Sequence, residues 1–283
     1  MSKKIDTRKY ILFFIALATS TSYGAISLAQ IGTKEEGKEY YRKLEAWNRD
    51  HPGTPPPLSA QEEYEFFVKK GLPIPGSGVH IMPAREMYPE KKRSVLSIKS
   101  SVSDFKKRGY VATQNKKATL LLSLPMMAKK DYAESNSDKL RPQSTHLRHQ
   151  ISDLKMAYDY RGVPESLIKK IVGFAPENTF ISDGWTGAVE FFYPKDMDAV
   201  CSYHETNVQL TGTSANLAKE IVSKEVNNKI TIIEVSGTDV SGYAYNVEWW
   251  DDNYRHVLEC ASKKFSPDTT KQTIALAINI DNR

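Results

Sequence analysis

The chain has 283 residues, 40% hydrophobic and 26% charged, with two cysteines and a formal net charge of +5. That composition excludes wholesale disorder, a collagen-like repeat and a multi-span membrane protein, and it allows a sizeable core without a disulfide framework. Two cysteines also exclude a four-cysteine zinc or iron–sulfur site.

The first residues read as an export signal. Lys3, Lys4, Arg8 and Lys9 precede an apolar run over 10–18, and small residues up to Ala29 offer a cleavage site. The run is under half the ~20 residues that a membrane span needs. No cysteine lies near the cleavage region, so lipid attachment there is not expected. Residues 30–160 carry 23 basic and 16 acidic side chains, whereas 161–283 carry 12 and 17. A basic half followed by an acidic one suggests two functional regions and permits head-to-tail packing of copies. The expected organisation is a signal peptide over 1–29, a helical and extended basic region over 30–150, and an acidic domain over 151–283.

Thr33 with Glu36, and Ser59 with Glu62, form capping boxes that predict helices over 33–50 and 60–70. Between them Pro55, Pro56 and Pro57 break the chain into an extended segment. Residues 72–89, rich in proline and glycine, read as an arm laid over a partner. Strands are expected over 94–102 and 118–127, helices over 151–160 and 164–172, and an amphipathic helix over 214–227. Further strands are expected over 187–193, 199–204, 229–235, 242–250 and 254–261, and 273–280 closes the domain. The fold class is α+β, with N-terminal helices and a proline-rich arm before a mainly antiparallel sheet carrying one packed helix.

Cys201 and Cys260 lie in expected strands of one domain, and an exported pair is expected to form a disulfide. Adding His204 and His256 gives a Cys₂His₂ zinc set as the sharper alternative. Strand alternation argues against it, because 201 and 204 point to opposite faces. Trp249, Trp250, Asp251, Asp252 and Tyr254 form a candidate ligand patch, suited to stacking on a sugar ring or, less completely, to holding calcium. The plainer reading puts the indoles in the core or at an interface, with Asp251–Asn253 as a hairpin loop. No nucleophile elbow, zinc-protease motif or phosphate-binding loop occurs, so no catalytic residue, metal site or cofactor is assigned. Lys91, Lys92, Arg93 and Lys106, Lys107, Arg108 are two basic triplets in a tract over 85–117 holding ten basic and three acidic residues. With the three prolines, they are the candidate partner-binding residues. An acidic protein surface or lipid headgroups suit them better than nucleic acid, for which no binding motif is present, and the plainer reading is a solvated face.

Taken whole, the chain resembles an accessory subunit of the outer-membrane core of a Dot/Icm-type (type IVB) secretion system. The signal-like stretch 1–29, the proline-broken arm 50–89 and VEWWDDNYRHVLEC (247–260) carry the resemblance. It implies a periplasmic, outer-membrane-associated structural subunit that interlocks with other envelope proteins through extended arms, and it carries over no catalytic residue. The alternative expectation is a secreted hydrolase or glycan-binding effector using the tryptophan patch.

Overall fold

The computed structural model describes residues 78–88, 91–134, 141–211 and 213–283, together with Arg42, Ala46, Arg49 and Asp50. The expected signal peptide, the helix over 60–70 and Pro55–Pro57 lie outside the described residues. Of the helix expected over 33–50, those four positions are described, and they are helical. The chain divides into two compact units, Met1–Gly78 with Val208–Ala215, and Val79–Asn207 with Asn216–Arg283. The second holds nearly all the described structure.

In chain order the elements are β1 (Gly78–Met82), α1 (Ala84–Met87), α2 (Lys92–Arg108), β2 (Val111–Ala112), α3 (Lys116–Glu134), β3 (Ile168–Ile181), β4 (Gly184–Pro194) and β5 (Val200–Asn207). After the short α4 (Val208–Thr211) come β6 (Ser214–Ala218), β7 (Val222–Ser223), β8 (Ile230–Thr238), β9 (Gly242–Trp250), β10 (Tyr254–Ser262) and α5 (Pro267–Asp281). The main sheet is ordered β2-β8-β9-β10-β5-β4-β3, with β7 also on β8, and every pairing is antiparallel except β2 on β8. This is the expected α+β class, with a mainly antiparallel sheet.

Helices cover both faces, so β4 and β10 are buried almost continuously instead of alternating with solvent. On the first face Cys201, Tyr203, Tyr245, Val247, Trp249 and Leu258 pack with Leu276, Ala277 and Ile280 of α5. Ser266 caps α5 by accepting from the Asp268 N–H, and Pro267 occupies its first turn. On the second face Ala118, Leu121 and Leu124 of α3 cover Val189, Phe191, Val200, Ala244 and Ala261.

Five local expectations are corrected. Residues 94–102 and 118–127 are helical, within α2 and α3. Ile98, Val102 and Phe105, and likewise Ala118, Leu121 and Leu124, recur at helical spacing, which outweighs the β-branched content. Pro125 sits inside α3, and Gly109 ends α2 in the left-handed conformation. Residues 151–160 hold only the single 3-10 turn Ile151–Asp153. Pro164 precedes another such turn, after which the chain enters β3 instead of a helix. Residues 214–227 are β6, a 3-10 turn and β7, because Leu217 and Ala218 bury as strand ends and β7 pairs with β8. The helix packed on the sheet's first face is instead α5, over the closing residues 273–280.

Candidate functional site

Register brings the two cysteines together. Cys201 and Cys260 are direct partners across β5 and β10, and they form a disulfide. The zinc set therefore has no thiolates. His204 and His256 also lie on opposite faces of the sheet, each in its own polar cluster.

The first cluster surrounds the β9–β10 hairpin. The Asp251 carboxylate accepts from the backbone N–H groups of Asn253 and Tyr254, which fixes the turn. Its other oxygen lies 3.2 Å from His256 Nε2. Burial opposes its charge, yet the hydrogen bonds from His256, Asn253 and Tyr254 hold its carboxyl well below the usual range. His256 Nδ1 meets the Tyr203 hydroxyl at 2.7 Å, and that hydroxyl meets Glu205 at 2.9 Å and Arg283 at 2.9 Å. The Trp249 indole N–H donates to Asp281, and its ring stacks on His256.

Asp251, His256 and Asp281 turn ligand atoms toward one another within 4.8 Å. The Lys229 ammonium already stands among them, 2.6 Å from Asp281 and 3.6 Å from Asp251. Their charge is therefore met by a resident cation.

The expected ligand patch is divided between the two faces. Trp249 is fully buried and Trp250 is 4% exposed. The Trp250 N–H donates to Glu248, and the Arg255 guanidinium, itself bidentate on Glu248, lies 5.5 Å from its ring centre. Tyr254 leans on Tyr158 and faces Arg161. Asp252 is exposed. No open indole face remains for a sugar ring, and Asp251–Asn253 is the expected hairpin loop.

The second cluster lies beside α3. Lys117 donates to the buried Glu259, whose carboxyl stays below its usual range against burial through Lys117 and His204. His204 Nε2 is 3.1 Å from the Ser202 hydroxyl, and its Nδ1 is 3.2 Å from Glu177. That is the spacing of a nucleophile–base–acid relay, which the sequence analysis did not find because the residues come from β5 and β3. Ser202 is fully buried on a central strand, however, and a second carboxylate, Glu259, lies 4.0 Å from the same nitrogen. At that burial the three side chains form a packed polar network within the sheet's second face.

The basic triplets stand on and beside α2. Lys91 precedes it, Lys92 and Arg93 open it, and Lys106, Lys107 and Arg108 close it, all six exposed. The last three favour the negative end of the helix dipole. Beside α2 lies a groove of about 440 Å³, walled by Ile98, Val102 and Phe105 on one side and by Val222, Ile232 and Ile233 on the other.

The chain matches no protein-family model, curated protein or solved structure. Among the described residues no helix is long and apolar enough to cross a membrane.

Proposed function

We propose that this chain is an exported, non-enzymatic structural subunit of a larger envelope assembly, held in the periplasm beside the outer membrane by its protein partners. The observation that carries the reading is how the fold uses its polar groups. Tyr203, Glu205, His256, Asp251, Lys229 and Asp281 serve one another on one face, and Lys117, Glu259, His204 and Glu177 do so on the other. The accessible surface meanwhile offers six cations and an apolar groove along α2. Buried networks specify a rigid body, and a charged helix beside an apolar recess suits partner contact. The Cys201–Cys260 bond agrees with an oxidising compartment. The most specific form of the reading is an accessory subunit of a type IVB secretion-system outer-membrane core, as the resemblance implies.

The test is the size of the tagged protein gently extracted from its native envelope, with mass spectrometry of whatever co-migrates. A very large particle containing other envelope proteins supports the reading and names the machine. A free monomer, or recovery from the medium, refutes it.

A further inference from the structure

Two long faces of α2 meet different surroundings. Val95, Ile98, Val102 and Phe105 recur at helical spacing and are half-buried, the last three against the groove. Rotated about a quarter-turn from them, Lys92, Leu96, Lys99, Ser103 and Lys106 follow i, i+4, i+7, i+11 and i+14. At a helical rise of about 1.5 Å per residue they form one stripe about 21 Å long. Its lysines are exposed, as is Lys107 at its rim, and Leu96 is 65% exposed.

These charges do little for the fold itself. Among the described residues none of Lys92, Lys99, Lys106 and Lys107 joins an ion pair, and Asp104, the one acid on α2, is held by Arg108 at 3.0 Å. Lys91, Lys92 and Arg93 crowd the positive end of the helix dipole, where the first turn has no acid and no side-chain cap. Glu220, Glu225 and Glu234 line the groove on the apolar side of the helix, which only Lys106 of the stripe also borders. Every cation of the stripe is a lysine, a point charge on a flexible stem. That suits a diffuse layer of anions, whereas fixed carboxylates on a protein are matched better by the planar fork of arginine. Leu96 projects from among these lysines. A surface that is anionic outside and apolar one layer below meets both kinds of side chain, and a bilayer interface has that structure.

Resting on the envelope-subunit reading for access to such a surface, we infer that the outward stripe of α2 docks the protein on an anionic phospholipid bilayer. The ammonium groups stand at the headgroup phosphates, and Leu96 enters the acyl boundary.

The test is flotation of the mature protein with vesicles of phosphatidylcholine, alone or with about one third phosphatidylglycerol. Binding should be at least tenfold tighter to the phosphatidylglycerol vesicles and should fall at least tenfold between about 0.05 and 0.5 M salt. Lys92→Glu with Lys99→Glu should weaken it at least tenfold with thermal unfolding not lowered, because both side chains are exposed and an acid in the first turn favours the dipole. Leu96→Ser should weaken it severalfold, also without loss of stability. Lys169→Glu with Lys170→Glu, the same charge change at exposed positions of β3, should leave binding intact. Equal binding to both vesicles, or an equal loss in the β3 variant, overturns the inference. Capture of polyglutamate without vesicle binding also overturns it and assigns the stripe to an acidic protein. The two readings fail separately. If vesicles are not bound while the wild type and the α2 double variant migrate alike in a large particle, the stripe is wrong and the subunit reading stands. A monomeric wild type that binds phosphatidylglycerol vesicles refutes the subunit reading and keeps the stripe.

Discussion

Glu190 sits on β4 facing the first core, 3% exposed, with its carboxylate accepting from the Val163 N–H. Burial raises its carboxyl from the ordinary 4.5 to about 7, against the pull of that hydrogen bond and of Arg283. At about 1.4 kcal/mol per pH unit, the gap amounts to about 3 kcal/mol. The folded protein thus keeps a proton on Glu190 over a range in which the unfolded chain has released it. Stability must fall as pH rises from about 4.5 to about 7, and above that the full cost of a buried carboxylate applies. Glu190→Gln removes the charge but keeps an oxygen for the Val163 N–H. The variant should match the wild type near pH 4 and exceed it by up to about 3 kcal/mol at pH 8. Urea unfolding of both proteins from pH 4 to 8.5, with the disulfide intact, gives the difference directly. A difference that does not change with pH would refute the reasoning, as would a wild type that gains on the variant as pH rises.

Lys117→Met takes the partner from a buried carboxylate and should cost about 2–3 kcal/mol, less than a fully buried pair because Lys117 is half exposed. Lys117→Met with Glu259→Leu should recover most of the loss in the same denaturation assay. Because the folded Glu259 carboxyl is depressed, its contribution is present above the ordinary 4.5 and fades as pH falls through its lower folded value, so the variant should lose part of the wild type's acid-side slope. Replacing Cys201 and Cys260 by alanine opens a 59-residue loop and should lower stability by about 4 kcal/mol, read as a fall in the urea midpoint that dithiothreitol reproduces in the wild type alone.

The strands of the sheet's centre were legible because their signals agree at several levels. Residues 242–250 alternate aromatic and small side chains between glycine and an aspartate-rich turn, and the structure gives β9 over the same span. The expected strands over 187–193, 199–204, 229–235 and 254–261 fall on β4, β5, β8 and β10 for similar reasons. The peripheral elements misled because composition and period disagree there. SVLSIKSSV is rich in β-branched residues, yet its apolar positions follow helical spacing, and only that spacing lets α2 lay Ile98, Val102 and Phe105 along the sheet edge. The apolar run 119–124 reads as a buried strand for the same reason, yet Ala118, Leu121 and Leu124 follow helical spacing and bury against the sheet, where Pro125 is tolerated inside α3.

The polar clusters were hidden for a different reason. Ser202 and His204 are two residues apart, but Glu177 joins them only through the β3–β4–β5 pairing, and Lys229 reaches Asp251 and Asp281 from the turn before β8. No spacing in one chain encodes contacts of that kind. The hairpin motif around Trp249 drew attention as a ligand patch because aromatics beside carboxylates look alike in a binding site and in a satisfied core. Burial separates the two cases. Each indole N–H already has a carboxylate, and Glu248, Asp251 and Asp281 already have a cation or a turn to hold, so most of the motif's chemistry is turned inward. The consequence reaches beyond this hairpin: in a sheet covered on both faces, the positions left to meet a partner are those at its edge. Here one edge is β8 with the short strands β2 and β7 laid on it, and the other is β3.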